Sequence, residues 1–463
     1  MALYLLSYSN WTTDKLALKI NQSKRYTKDL LKELKSDVTY YLDVKLNIEI
    51  EFTGEITVIP HTSNEILRFF YALKLAYLEQ TNEFKLLHLL LQKQELSINS
   101  IAKSLFLSTS YTRKIIKKMN IFLQPFQFKI NEEGNIYGLK GNELSIHLFL
   151  YVLMNDTYQS IPWPYNNDNF PAYIDYRQSL HIVLTIINSR KGKEEYIPDL
   201  NTKIDFITSC MKKTYNFISY LKKKYPYFRD ILNPNAKEEK YLIFFTHICA
   251  PRVIPKKIKL SLGKKFLNTS TDIIFSKSLS YKIIEHFQLD YQEEKKYLLA
   301  YYLTVLEGFY DLMQETITLF ETIVFPPQQY SLSFEKTKIK EIILVFQNFL
   351  LEEKQTNLLK HSKLQQYFCS LIYTILQIEK PPIVRIFLYI TNSFTAQDLI
   401  QSRLEIIYNS KTILFVDCLE QADLIVTDSL NFKEAFQTEI FSFNTVLKKD
   451  QWSLLLQKIN QLI

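Results

Sequence analysis

The sequence predicts a mainly α-helical, multidomain chain: two winged helix-turn-helix units, then two helical bundles, then a small α/β domain. Three observations predict this. A helix-turn-helix pattern occurs twice near the N-terminus, 85 residues apart and without a gap. Amphipathic segments rich in Leu, Ile, Tyr and Phe then run from about residue 145 to 380. After Pro381-Pro382 the pattern changes to short apolar β-branched runs separated by a helical stretch. The expected boundaries are 1–60 for the first winged unit, 61–82 for a connecting helix, 83–144 for the second unit, 145–277 and 278–380 for the bundles, and 381–463 for the α/β domain.

The repeat aligns residues 11–34, WTTDKLALKINQSKRYTKDLLKEL, with residues 96–119, LSINSIAKSLFLSTSYTRKIIKKM. Leu16 then matches Ile101, Ala17 matches Ala102, Ile20 matches Leu105, Ser23 matches Ser108, Tyr26 matches Tyr111, Thr27 matches Thr112, and Leu30 and Leu31 match Ile115 and Ile116. In the second copy Ser97 is placed to cap a helix carrying Ile98, Ile101, Ala102 and Leu105, and Ser108 to cap the next. A serine there satisfies orphan N–H groups of the first turn and stabilises the helix by roughly 1 kcal/mol. The second helix sets Thr112, Ile115, Ile116 and Met119 on one stripe. Its other face keeps Thr109, Ser110, Arg113, Lys114, Lys117 and Lys118, short polar groups ahead of cations, which is the chemistry of a recognition helix.

A wing is expected after each copy, as two strands around a glycine-containing turn: LNIEIEF, Thr53-Gly54, EITVI in the first, and FQFKI, NEEG, NIYGL in the second. The expected DNA contacts are Ser108, Thr109, Ser110, Tyr111, Arg113, Lys114, Lys117 and Lys118 in the second unit, and Lys24, Arg25, Tyr26, Lys28 and Lys32 in the first. Residues 97–129 contain cations and no carboxylate, whereas the first recognition helix interleaves Asp29 and Glu33 with its cations. Phosphate neutralisation supplies much of the affinity for DNA, so the second unit is expected to dominate binding, with Arg113, Lys114 and Lys117 all serving phosphates.

Composition limits the alternatives. Fifty-six basic against 48 acidic side chains leave +8 over 463 residues, so a nucleic-acid surface must come from local clustering. A hydrophobic content of 47% suffices for several buried cores. Seven glycines and the absence of GxGxxG and GxxxxGK[ST] leave no phosphate-cradling loop. Cys210, Cys249, Cys369 and Cys418 form no CxxC pair, and reduced, mostly buried thiols are expected, with no metal and no cofactor. Neither a signal peptide nor a membrane span is evident, so a cytoplasmic protein is expected.

In the middle region Pro162-Trp163-Pro164, Pro251 to Pro255 and Pro326-Pro327 punctuate groups of helices, and a seam between bundles is expected near 275–280. The last region reads as IVRIFLYI, a turn at Thr391-Asn392-Ser393, a helix TAQDLIQSRLEIIYN, and the strands TILFVD and ADLIVTD. A parallel sheet is expected, with a turn that lacks both cysteine and glycine.

With these features in order, the chain resembles the Mga/AtxA family of Gram-positive virulence regulators. The two winged units, the segment IHLFLYVLMNDTYQSIPWPY and the final strand-helix-strand region carry the resemblance. It implies a transcriptional regulator that binds promoter DNA with low base specificity through indirect readout. It further implies two phosphotransferase-regulation (PRD-like) bundles, an EIIB-like terminal domain, homodimers or larger oligomers, and phosphotransferase-system proteins as partners. Regulatory phosphorylation would fall on histidines of the middle region, where His181, His247, His286 and His361 lie, with His147 at its edge. The EIIB phospho-acceptor cysteine has no counterpart here: Thr391-Asn392-Ser393 follows the first strand and Cys418 follows the second. The terminal domain is therefore expected to serve contacts. Two other classes are a winged-helix scaffold for protein contacts and an enzyme in the helical middle. The first would carry few cations on its second recognition helix; the second finds no Ser/His/Asp or HExxH spacing, so a non-enzyme is expected.

Overall fold

The computed structural model describes residues 2–7, 11–59, 63–93, 95–158, 161, 164, 178–190, 200–224, 234–269, 275–289, 293–313, 336–353, 362–377, 383–390, 395–410, 412–428, 438–443 and 449–462. His361 and the turn Thr391-Asn392-Ser393 lie outside them. The chain is mainly α-helical and multidomain, with a small C-terminal α/β region. It divides into two compact units, residues 1–333 with 349–365, and residues 334–348 with 366–463.

The repeat in sequence is a repeat in structure. After α1 (Ala2–Leu6), the first copy consists of β1 (Trp11–Thr12), α2 (Thr13–Lys19), α3 (Lys24–Leu42), β2 (Asn47–Ile50) and β3 (Glu55–Ile59). Helices α4 (Ser63–Gln80) and α5 (Asn82–Lys93) lead to the second copy: β4 (Leu96–Ser97), α6 (Ile98–Leu105), α7 (Thr109–Leu123), β5 (Phe128–Glu133) and β6 (Ile136–Gly141). The sheets share one topology, β1-β3-β2 and β4-β6-β5, all antiparallel. Each has a third strand beyond the expected two, because the residues just before the first helix of each copy pair with the far strand of the wing. Runs of two residues carry no alternation to announce them.

The caps recur as well. Thr12 Oγ1 and Ser97 Oγ each accept from the N–H three residues on, at 3.3 and 3.2 Å. Ser23 Oγ accepts from Tyr26 N–H and Ser108 Oγ from Tyr111 N–H, both at 3.2 Å. Thr27 and Thr112, both buried, donate their hydroxyls to the carbonyls of Ser23 and Ser108 at 2.9 Å. Between the helices the chain turns through a left-handed residue, Asn21 (φ 55°) or Phe106 (φ 57°). Asparagine tolerates that conformation, whereas a side chain such as phenylalanine is strained there by roughly 1–2 kcal/mol. Phe106 is also 94% exposed, so little packing offsets the strain. Replacing it by asparagine, the residue of the first copy, is expected to stabilise the chain by about 1 kcal/mol in thermal unfolding.

From Asn142 the described elements are helices: α8 (Glu143–Thr157), α9 (Gln178–Arg190), α10 (Thr202–Thr214), α11 (Phe217–Lys224), α12 (Ala236–Cys249), α13 (Lys256–Asn268), α14 (Phe275–His286) and α15 (Glu293–Met313). Packing among the described helices crosses the expected seam at 277/278, which falls within α14. Helix α15, beyond it, lies along α13 and also touches α10 and α12. The α13–α15 crossing is so close that a Cβ on Gly263 would lie 1.8 Å from the Tyr297 carbonyl oxygen. Loop residues between helices mark where the chain bends, and a seam is set by which apolar faces meet.

In this bundle His147 and His247 are fully buried. His147 Nδ1 lies 2.8 Å from the Tyr241 hydroxyl, and the two nitrogens of His247 lie 2.8 and 2.7 Å from the hydroxyls of Tyr215 and Tyr301. Burial pushes both imidazoles down to about 3, helped by Arg190 at His147 and by Lys259 at His247. Both are neutral in the folded chain, while unfolded histidine binds a proton near pH 6.5. Below that pH the unfolded state holds the extra protons, so stability falls as pH drops from 6.5 toward 3, by roughly 1.4 kcal/mol per pH unit for each histidine. Thermal scans across this range are expected to show the loss, and His247→Phe is expected to flatten it.

After α16 (Lys336–Glu352) and α17 (Ser362–Gln377), the terminal region folds as β7 (Val384–Tyr389), α18 (Ala396–Ile407), β8 (Ile413–Phe415), β9 (Leu424–Thr427), β10 (Glu439–Ser442) and α19 (Lys449–Leu462). The sheet order is β10-β9-β7-β8 and all pairs are parallel. Val384, Ile386, Leu388, Ile400, Leu404, Leu424, Val426, Trp452 and Leu455 build its core. The fourth strand, EIFS, went unexpected because an edge strand of two exposed and two half-buried residues lacks the apolar run of β7. Cys249 and Cys369 are buried, Cys210 is half-buried, and Cys418 is exposed.

Candidate nucleic-acid interface

The expected recognition helices are α3 and α7, and in each the outward face is fixed by what the inward face must bury. Thr112, Ile115, Ile116, Met119 and Leu123 turn inward from α7, leaving Ser110, Tyr111, Arg113, Lys114, Lys117 and Lys118 exposed and Thr109 half-exposed. Thr27, Leu31 and Val38 do the same for α3, leaving Lys24, Arg25, Tyr26, Lys28 and Lys32 exposed. The exposed tyrosines occupy one register position, Tyr26 at 53% and Tyr111 at 49%. Ser108 is absorbed by capping, so its hydroxyl is committed to the helix itself.

Counter-charges divide the two faces. On α3, Lys24 Nζ lies 2.9 Å from Asp14, and Lys32 lies 3.8 Å from Asp29. The 85-residue register puts Asp29 where α7 has Lys114, and Glu33 where it has Lys118. Over ten residues α3 therefore shows four cations and two carboxylates, and α7 four cations and none. The cations of α7 are themselves not alike. Lys118 Nζ donates to Glu83 of α5 at 2.7 Å, a hydrogen bond that lowers the Glu83 carboxyl below its usual range. Among the described residues no carboxylate pairs with Arg113, Lys114 or Lys117. Sequence reasoning had grouped Lys118 with them, since the acid that engages it lies on another element.

The second wing is pinned to α7. Asn120 accepts from Ile130 N–H at 2.7 Å and donates to Ile130 O at 2.9 Å, so a single amide brackets β5. Asn120 was not among the expected residues; a half-buried amide near the end of an apolar stripe was its one signal. The hairpin turns at Gly134-Asn135, both with positive φ, as a two-residue loop with extended strands up to Glu133 and from Ile136, and not at NEEG. Its tip carries Glu132 and Glu133, the latter paired with Lys140, so the wing tip offers no excess of positive charge.

A buried ion pair joins this unit to the helical body. Arg190, at the end of α9 and 3% exposed, donates from Nε to Glu143 Oε2 at 3.1 Å, from Nη2 to Glu143 Oε1, and from Nη2 to the Leu139 carbonyl of β6 at 3.0 Å. Glu143 opens α8 and also stands 3.6 Å from His147 Nε2. Of the candidate phosphorylation sites, His181 and His247 are buried and both nitrogens of His247 are engaged, so neither presents a nitrogen to a phosphodonor. His286, near the end of α14, is exposed.

A capped helix pair, a cation-bearing second helix and a wing define the class: a helix-turn-helix protein of the DNA-binding regulators. Residues 68–154 match the family model of the Mga helix-turn-helix domain. That span holds the entire second unit, from within α4 to within α8, and the repeat extends the likeness to the first. No curated protein matches the chain. Among the described residues no helix is long and apolar enough to cross a membrane.

Proposed function

We propose that the protein is a cytoplasmic transcription regulator, not an enzyme, that grips promoter DNA mainly through phosphates with its second winged unit and more weakly with its first. The observation that carries the reading is the outward face of α7, where Lys114 and Lys117 stand exposed behind capped Ser108 with no described carboxylate to neutralise them. Such a face adds affinity for any duplex, so discrimination comes mostly from DNA shape. Binding as a homodimer or larger oligomer would place several such faces along one duplex. The helical body, tied to the second wing through Arg190, Glu143 and Leu139, gives a route by which phosphotransferase-system proteins could bias the DNA-binding unit. In this reading phosphoryl exchange falls to exposed His286 or to His361.

The test is a gel shift of the full chain on a curved A-tract duplex and a straight duplex of equal length. Salt-sensitive binding with preference for the curved duplex is expected. Absence of binding to either at low salt would contradict the reading and favour a scaffold whose winged units meet protein.

A further inference from the structure

A cleft of about 300 Å³ opens between the end of α4, helix α5 and helix α6. That volume stands at the lower end of the roughly 300–1,000 Å³ usual for ligand pockets, so it suits one small molecule. Its floor is apolar: Phe84 and Leu105 are 6% and 7% exposed, and Leu89 is half-buried. Its rim is polar and carries both signs of charge, with Glu79 at the end of α4, Lys85 in the first turn of α5 and Ser104 on α6, all exposed. Among the described residues neither Glu79 nor Lys85 has an ion-pair partner. His88, half-buried on the wall, lies with its Nε2 3.2 Å from the Tyr158 hydroxyl, and burial lowers its pKa, so it adds no second cation at neutral pH. Two opposite charges therefore border one small apolar space, and nothing described neutralises either.

A ligand matched to this lining needs an anion for Lys85, a cation for Glu79 and an apolar body for the floor. An inorganic ion brings one charge and no body, and a sugar brings neither. A fatty acid or an alkylamine brings a body but leaves one rim charge unanswered. A free amino acid with an apolar side chain supplies all three, because its carboxylate and its ammonium are ionised together at neutral pH. The Ser104 hydroxyl can donate to the first or accept from the second. We propose that the cleft is a binding site for an apolar amino acid, with Lys85 on its carboxylate, Glu79 on its ammonium, and Phe84, Leu89 and Leu105 around its side chain. Helix α5, which supplies Phe84, Lys85 and Leu89, also holds Lys118 of α7 through Glu83. The bound molecule thus sits one helix away from the cation-bearing face. The inference is independent of the DNA-binding reading above.

The experiment is calorimetric titration of the full chain, without DNA, with leucine, phenylalanine, glycine, isocaproate and isoamylamine, the last two being leucine without its ammonium and without its carboxylate. The native chain is expected to bind leucine or phenylalanine saturably, about tenfold or more tighter than the other three, since each charge-assisted contact contributes about that much. Lys85→Met removes the anchor of the carboxylate and Ser104→Phe fills the cleft, and each is expected to weaken the binding by about tenfold or more. Lys85→Arg keeps the charge and should stay within about threefold of the native chain. Both positions are exposed, so the thermal transition of each variant without ligand should match that of the native chain. Absence of saturable binding of either amino acid overturns the inference. So does isocaproate or isoamylamine binding as tightly as leucine, or leucine binding that survives both Lys85→Met and Ser104→Phe. Because no duplex is present, a chain that binds DNA but no amino acid overturns this inference alone, and one that binds the amino acid but no DNA supports it while the DNA-binding reading falls.

Discussion

Replacing Arg190 by alanine is expected to destabilise the first compact unit by about 3–5 kcal/mol, the usual cost of leaving one member of a buried ion pair behind. Glu143 would keep its place at the start of α8 with only 11% of its side chain exposed, stripped of the guanidinium that meets both its oxygens. The Leu139 carbonyl would lose its donor too, so the effect should reach the second wing. His147, beside Glu143 and freed of Arg190, should become easier to protonate, because Arg190 is one of the two causes holding it down to about 3. Hydrogen exchange should therefore accelerate over β5 and β6 as well as α8. The double variant Arg190→Met/Glu143→Leu should recover much of the loss, since replacing both partners removes the unpaired charge. An unaltered wing in Arg190→Ala would show that the ion pair serves the bundle alone.

Replacing Lys114 and Lys117 together by alanine should abolish most binding by the second unit. Each phosphate contact contributes roughly 0.9 to the slope of log affinity against log salt, so the pair should lower that slope by about 1.8. At 0.1 M salt the same relation gives a loss of roughly tenfold per contact, or about a hundredfold for both, equally on every sequence. Neither side chain contributes to the core, so thermal unfolding should be unchanged within about 0.5 kcal/mol.

The repeat was legible because it is written in spacing: two serines that cap and an apolar stripe at three and four residues recur in one register, and local rules of this kind decide local structure. The recognition face followed from the same stripe, since what is not buried must point out. What stayed hidden depends on elements remote in sequence. Glu83 engages Lys118 from α5, so a cation list drawn from α7 alone treats unlike side chains as equal. The pairing of Leu96-Ser97 with β6 was illegible for the same reason. In the middle region two bundles were expected to meet near 275–280, but the bare surface of Gly263 lets α15 lie against α13 across that division. Burial of His181 and His247 likewise could not be read from helical segments that are apolar on most sides.

The central claim is that the second winged unit supplies the principal grip on DNA. It is tested most directly by the salt dependence of binding to one duplex, measured side by side for the native chain, Lys114→Ala/Lys117→Ala and Lys28→Ala/Lys32→Ala. The account predicts a slope lowered by about 1.8 for the first variant and by clearly less for the second, whose Lys32 already faces Asp29. An equal or larger loss in the Lys28/Lys32 variant, or a slope untouched by loss of Lys114 and Lys117, would contradict it.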